Sequence, residues 1–186
     1  AYLQIGPERP IKIDGVWPFR QPVTISGSLT AAHLSDFPVL VAITNAANPV
    51  FAHARPDGAD ILFTSEDNLT EKLDHEIEYF SALPGQEALY AWVRVPELAS
   101  GADTTIYLYY GNPDFEEPAN AQTVWDDDFL GVYHMGEGTG ATSADATMRG
   151  NHAQLRYFNL SGTVDDGGLG FLKDNAINQL DKAWIG

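Results

Sequence analysis

The segment H-E-I-E-Y-F at positions 75–80 sets two carboxylates, Glu76 and Glu78, on either side of one isoleucine. On a strand, residues two apart share a face and sit about 6–7 Å apart at Cα, which turns Glu76, Glu78 and Phe80 one way and His75, Ile77 and Tyr79 the other. Paired carboxylates at that separation suit glycoside hydrolysis, one as acid and the other as base or nucleophile. The same pair suits a milder chemistry, the binding of sugar hydroxyls. The bland alternative is the solvated face of an ordinary strand, and it fits the surroundings, because positions 56–80 carry eight acidic side chains.

Acidic residues elsewhere offer hard oxygen ligands. Asp57 and Asp60 in D-G-A-D, and Asp126 and Asp128 in W-D-D-D, would suit a structural calcium ion. Asp-Gly and Asp-Asn are also ordinary turn dipeptides. No D-x-[DN]-x-[DN]-G loop with a distal glutamate is present. His33, His53, His75, His134 and His152 show no zinc-binding spacing, and there is no nucleophile elbow, phosphate loop or dinucleotide fingerprint. A third chemistry is stacking. In A-L-Y-A-W-V-R-V, alternation puts Tyr90, Trp92 and Arg94 on one face and Leu89, Ala91, Val93 and Val95 on the other. Tyr107 and Tyr109 share a face of T-T-I-Y-L-Y-Y. Exposed, such rings stack on sugars, with Glu76 and Glu78 as hydroxyl partners. Buried, they are core. The pattern leaves both open.

Strands must position these groups. The chain has 186 residues and is 44% hydrophobic, enough for a packed core. No sustained helical period appears, and short β-rich runs alternate with Gly, Pro, Asn and Asp. Strands are expected at Leu3–Ile5, Ile11–Ile13, Gln21–Ser26, Pro38–Ile43, Ile61–Thr64, His75–Phe80, Ala88–Val95, Thr104–Tyr110, Leu130–Met135, His152–Arg156 and Asn175–Asn178. Short helices are expected at Ala31–Leu34 and Pro49–Ala54, the second from its Asn-Pro start. The fold class is therefore all-β, an antiparallel β-sandwich of jelly-roll type, with a partial second β-sandwich segment at the C-terminal end. The divisions are an N-terminal strand or arm at 1–13, a sandwich at 14–115, a polar, proline-bearing linker at 116–124, and an incomplete segment at 125–186. A net charge of −16 disfavours nucleic acid and anionic lipid as partners. No apolar run is long enough to span a bilayer. Cysteine is absent, which excludes disulfide scaffolds and thiolate metal sites. A-Y-L-Q-I reads as a mature terminus after signal cleavage, and N-L-T at 68–70 and N-L-S at 159–161 are glycosylation sequons.

Six blocks carry a family resemblance: W-P-F-R at 17–20 leading into P-V-T-I-S-G, then D-F-P-V-L-V at 36–41, D-G-A-D-I-L-F-T at 57–64, H-E-I-E-Y-F at 75–80, A-W-V-R-V-P at 91–96 and T-I-Y-L-Y-Y-G-N at 105–112. In this order and spacing, 14–115 resembles the domain of unknown function numbered 2341, with Leu62 where that family usually has arginine. F-L-G-V-Y-H-M-G-E-G at 129–138, S-A-D-A-T-M-R-G-N-H-A at 143–153 and G-L-G-F-L-K-D-N-A-I at 168–177 resemble the start of a concanavalin A-like, laminin-G-type sandwich. The resemblance implies a secreted, cell-surface or periplasmic protein of a polymer-handling system. Laminarinase-type hydrolases place a second glutamate where this chain has Ser81, so the catalytic pattern is incomplete. The expected function is a non-catalytic, extracytoplasmic module that binds carbohydrate or another surface polymer. One alternative is a structural subunit of a surface filament or sheath, self-assembled by strand exchange through open strand edges and the N-terminal segment. Another is a glycoside hydrolase using Glu76 and Glu78.

Overall fold

The computed structural model describes residues 3–10, 17–67, 71–114, 120–136, 141–154, 157–158 and 164–165. The strands expected at Ile11–Ile13 and Asn175–Asn178, the segment 168–177 and both sequons lie outside the described residues. The chain divides into two compact units, Ala1–Phe129 and Leu130–Gly186.

The first unit runs β1 (Leu3–Ile5), β2 (Arg9–Pro10), β3 (Phe19–Ile25), β4 (Leu34–Ile43), α1 (Val50–His53), β5 (Leu62–Thr64), β6 (Lys72–Leu73), β7 (His75–Ser81), β8 (Ala88–Leu98), β9 (Thr104–Tyr110) and α2 (Ala121–Val124). All its ladders are antiparallel. One sheet has the order β1-β3-β9-β5-β6, with β2 also paired to β3, and the other has the order β4-β8-β7. The two pack face to face as a β-sandwich.

Alternation decides which side chains meet. Leu89, Ala91, Val93 and Val95 of β8 and Val41 and Ile43 of β4 enter the core. Val23 and Ile25 of β3, Phe63 of β5 and Ile106, Leu108 and Tyr110 of β9 meet them from the opposite sheet. Burying each large aliphatic or aromatic side chain contributes about 1.5–3 kcal/mol. Val50 and Phe51 of α1 close one side of the core. The Asn48 side chain accepts from Val50 N at 3.0 Å, an Asx-type bond just ahead of the helix.

A proline inside β3 fixes the shape of the sheet's edge. Pro22 pairs with Tyr107 of β9 on one side and has no N–H for the other. The edge strand is interrupted there, between β1 and β2. Only the Pro22 carbonyl is used, accepting from Gly6 N at 2.7 Å. A Cβ on Gly6 would lie 2.5 Å from Pro22 Cγ, so glycine is required at that step.

Three local expectations are corrected. Ala31–Leu34 is not helical. The turn precedes it, as a 3-10 helix at Gly27–Leu29. Thr30 is held extended by the β8–β9 turn, through Thr30 Oγ1 to Ala99 O at 3.3 Å and Ser100 Oγ to Thr30 O at 3.1 Å. Leu130–Met135 is not a strand. Its polar backbone groups are taken by a loop: Val132 N donates to Asp145 Oδ1 at 3.0 Å, and Ala146 N donates to Val132 O at 2.8 Å. Third, Phe80 does not share a face with Glu76. A register shift between Ile77 and Tyr79 inserts Glu78 as a bulge, after which Tyr79 pairs with Tyr90 and Phe80 with Leu89. Phe80 packs on the core.

In the second unit the described residues form two short antiparallel ribbons, β10 (Thr142–Ser143) with β11 (Ala153–Gln154) and β12 (Tyr157–Phe158) with β13 (Val164–Asp165). The loop between β10 and β11 is organised by Asp145, 6% exposed. It accepts from Val132 N, Thr147 N, Thr147 Oγ1 and Asn151 N. Burial alone would raise its pKa, but these hydrogen bonds outweigh it and hold the carboxyl down to about 2.

Candidate functional site

The outer face of the β4-β8-β7 sheet brings together most of the residues singled out for sugar chemistry. Tyr90, Trp92 and Arg94 project from β8 away from the core and are half-buried. Across β8 they are flanked by Ala42, Leu40 and Pro38 of β4, in that order. On the other side, Glu76 pairs with Trp92 and Tyr79 with Tyr90. Leu40 is 39% exposed and Tyr79 44%, so this end of the face is open to solvent.

The two glutamates are oriented by indole rings. Trp92 Nε1 donates to Glu78 Oε2 at 2.7 Å, and Trp125 Nε1 donates to Glu76 Oε2 at 3.0 Å. The rings of Trp92 and Trp125 are 5.2 Å apart and tilted by 58°. Trp125 in turn meets Phe129 edge-on at 5.2 Å, and Tyr79 meets Tyr90 at 6.2 Å. These separations are those of aromatic pairs in contact. The result is an aromatic row of two ring pairs, Tyr79–Tyr90 and Trp92–Trp125, joined through alternate positions of β8, with two carboxylates fixed along it.

The far end of the face is covered by residues 120–129. Val124 and Trp125 are buried there, 0% and 5% exposed. Arg94 donates from Nη1 to Thr123 O at 3.0 Å, and Asn120 Nδ2 donates to Asp74 Oδ1 at 3.1 Å. Arg94 Nε also lies 3.4 Å from Asp36 Oδ1. Asp36 holds a positive φ of 53°, sparsely populated for a side chain other than glycine. Asp36, Lys72, Leu73, Asp74, Arg94 and Pro96 line an open cleft beside the row.

Tyr107 and Tyr109 lie elsewhere. They sit on the outer face of the other sheet, where Tyr109 is 0% exposed in a cluster with Trp17 and Leu62. Burial pushes the Tyr109 phenol above its ordinary range. Tyr107 packs against the cluster, with the Arg20 guanidinium 5.9 Å from its ring centroid. These tyrosines do not join the row.

Of the candidate calcium ligands, Asp57, Asp60 and Asp126 act as turn and loop acceptors, and Asp128 contributes its backbone N–H. Asp60, 0% exposed, accepts from Arg55 N at 2.9 Å and Gly111 N at 2.7 Å. Asp57 accepts from Ala59 N at 3.1 Å and from Arg55 Nη2 at 2.8 Å. The Ala59 amide comes first among the causes that lower its pKa. Asp126 accepts from Asp128 N at 3.0 Å. Among the described residues, no group of three or more His, Asp or Glu side chains is placed to hold a metal ion. None of their helices is long and apolar enough to cross a membrane.

Sequence reasoning missed Tyr79 and Trp125. Strict alternation turns Tyr79 inward, and only the bulge at Glu78 turns it out. Trp125 falls, by sequence, in the C-terminal segment. Its one local signal is a large aromatic residue isolated among aspartates.

Residues 57–147 match the family model described as Domain of unknown function (DUF2341). The matched segment contains β5 to β9, α2 and β10, and leaves the resemblance blocks at 17–41 outside it. No concanavalin A-like domain is found after it. No curated protein matches the chain, and no solved structure does.

Proposed function

We propose that the outer face of the β4-β8-β7 sheet is a carbohydrate-binding platform, and that the chain serves as a non-catalytic, extracytoplasmic binding module. One observation carries the proposal. Tyr79, Tyr90 and Trp92 stand side by side on a solvent-facing sheet surface, with Glu76 and Glu78 held along the same row by indole N–H donors. Ring faces offer the apolar surface that the C–H face of a sugar needs, and neighbouring carboxylates accept from its hydroxyls. A strand-built site is stiff, so little ordering is required on binding.

The test is isothermal calorimetry against soluble oligosaccharides, after a glycan array has chosen them. Trp92→Ala should weaken binding at least about tenfold, the scale expected when a central aromatic contact is removed. Tyr107→Ala, on the opposite sheet, should leave the affinity within about twofold. Binding unaffected by Trp92→Ala would remove the platform from consideration.

A further inference from the structure

Resting on the carbohydrate reading, we infer that this platform takes amine-bearing glycans, chains of protonated amino sugars, in preference to neutral or uronate chains. Two observations point to that chemistry. Glu76 and Glu78 are aimed along the row by Trp125 and Trp92, so carboxylate oxygens lie at the level of the rings on which a sugar would stack. The cleft beside the row takes no side in this, because its Asp36 and Asp74 are balanced by Lys72 and Arg94. The whole chain carries a net charge of −16, so the field over its surface attracts cations and repels anions.

An ammonium group laid against this row gains twice. It meets the negative faces of Tyr90 and Trp92, and it donates charge-assisted hydrogen bonds to the carboxylates. A neutral N-acetylated sugar keeps the stacking and loses both terms. A uronate keeps the stacking and adds like-charge repulsion.

The discriminating experiment uses three probes of equal length: glucosamine oligomers, N-acetylglucosamine oligomers and oligogalacturonate. Each is titrated calorimetrically in mild acid, where the sugar amines are protonated and the glutamates still ionised, at low and at physiological salt. The expected result is a preference of about three- to tenfold for the glucosamine oligomer over its acetylated counterpart at low salt, the size of one or two partly exposed ion pairs. The preference should shrink as salt rises, and oligogalacturonate should bind weakest. In Glu76→Gln and Glu78→Gln the amide oxygen still accepts from the indole N–H, so the rings stay in place while the charge is gone. Both substitutions should narrow the ratio between the glucosamine oligomer and its acetylated counterpart. Equal affinities, or a preference for oligogalacturonate, would overturn the inference and leave the carbohydrate reading standing. A preference that persists in both glutamine variants would also overturn it. Failure of all three probes to bind would count against both.

Discussion

The Asp60 carboxylate ties Arg55 N and Gly111 N together, joining the loop after α1 to the end of β9. Removing it strands two backbone donors in a site with 0% exposure. Asp60→Ala should therefore destabilise the protein by about 2–4 kcal/mol, measured by urea denaturation, since each buried unsatisfied group costs about 1–3 kcal/mol. Asp145 makes the matching prediction for the second unit. Its folded pKa of about 2 lies below the ordinary 3.8, so the carboxylate form is bound more tightly in the folded state. The stabilisation is fully present above 3.8 and is lost as pH falls through about 2. Amide protection factors across 130–136 and 141–152 should fall over that window, and in Asp145→Asn they should be low already at neutral pH. Both aspartates show the limit of reading acidic residues from sequence. Asp57, Asp60, Asp126 and Asp128 have the composition of a metal site, but the oxygens of Asp57, Asp60 and Asp126 serve amides two to five residues away or, for Gly111, just past the end of β9. Local turn chemistry and metal ligation draw on the same residue types.

At the scale of elements, the strands were legible because one face of each is apolar: β1 and β9 fall where alternation places them, and β8 puts its aliphatic residues inward as expected. The bulge in β7 was not legible. An inserted residue leaves the composition of a strand unchanged and reverses only the residues beyond it, so the outward turn of Tyr79 is decided by pairing with β8. The role of residues 120–129 was hidden for a different reason. Their polar and proline-bearing approach reads as linker, and nothing local shows that Val124 and Trp125 will find Trp92 across the sheet. A chain ending at residue 115 should consequently be less stable than one ending at 129, by about 3–5 kcal/mol, the cost of removing a large buried aromatic residue. Urea midpoints of the two fragments decide this. Gly6→Ala, which sets a Cβ against the Pro22 ring, should speed exchange of the β1 amides while leaving β8 and β9 unaffected.

Across the whole molecule, charge is the dominant feature. A net charge of −16 repels itself in the folded state more than in the expanded one. Raising salt from about 10 mM to about 150 mM shortens the Debye length from about 30 Å to about 8 Å. The melting temperature should rise by about 2–4 °C over that range, corresponding to about 1 kcal/mol for a chain of this size. Thermal scans at fixed pH check it, and a flat response would mean that the carboxylates are too dispersed to repel. The arrangement of the tryptophans has a practical consequence of its own. Of the four, Trp92 and Trp125 stand in contact on the proposed platform, Trp17 is 3% exposed on the far sheet, and Trp184 lies outside the described residues. A ligand settling on Tyr90 and Trp92 must dry one indole while the environment of Trp17 stays the same. The protein thus carries its own optical reporter, with an internal reference, and intrinsic fluorescence can follow occupancy of the face without a label.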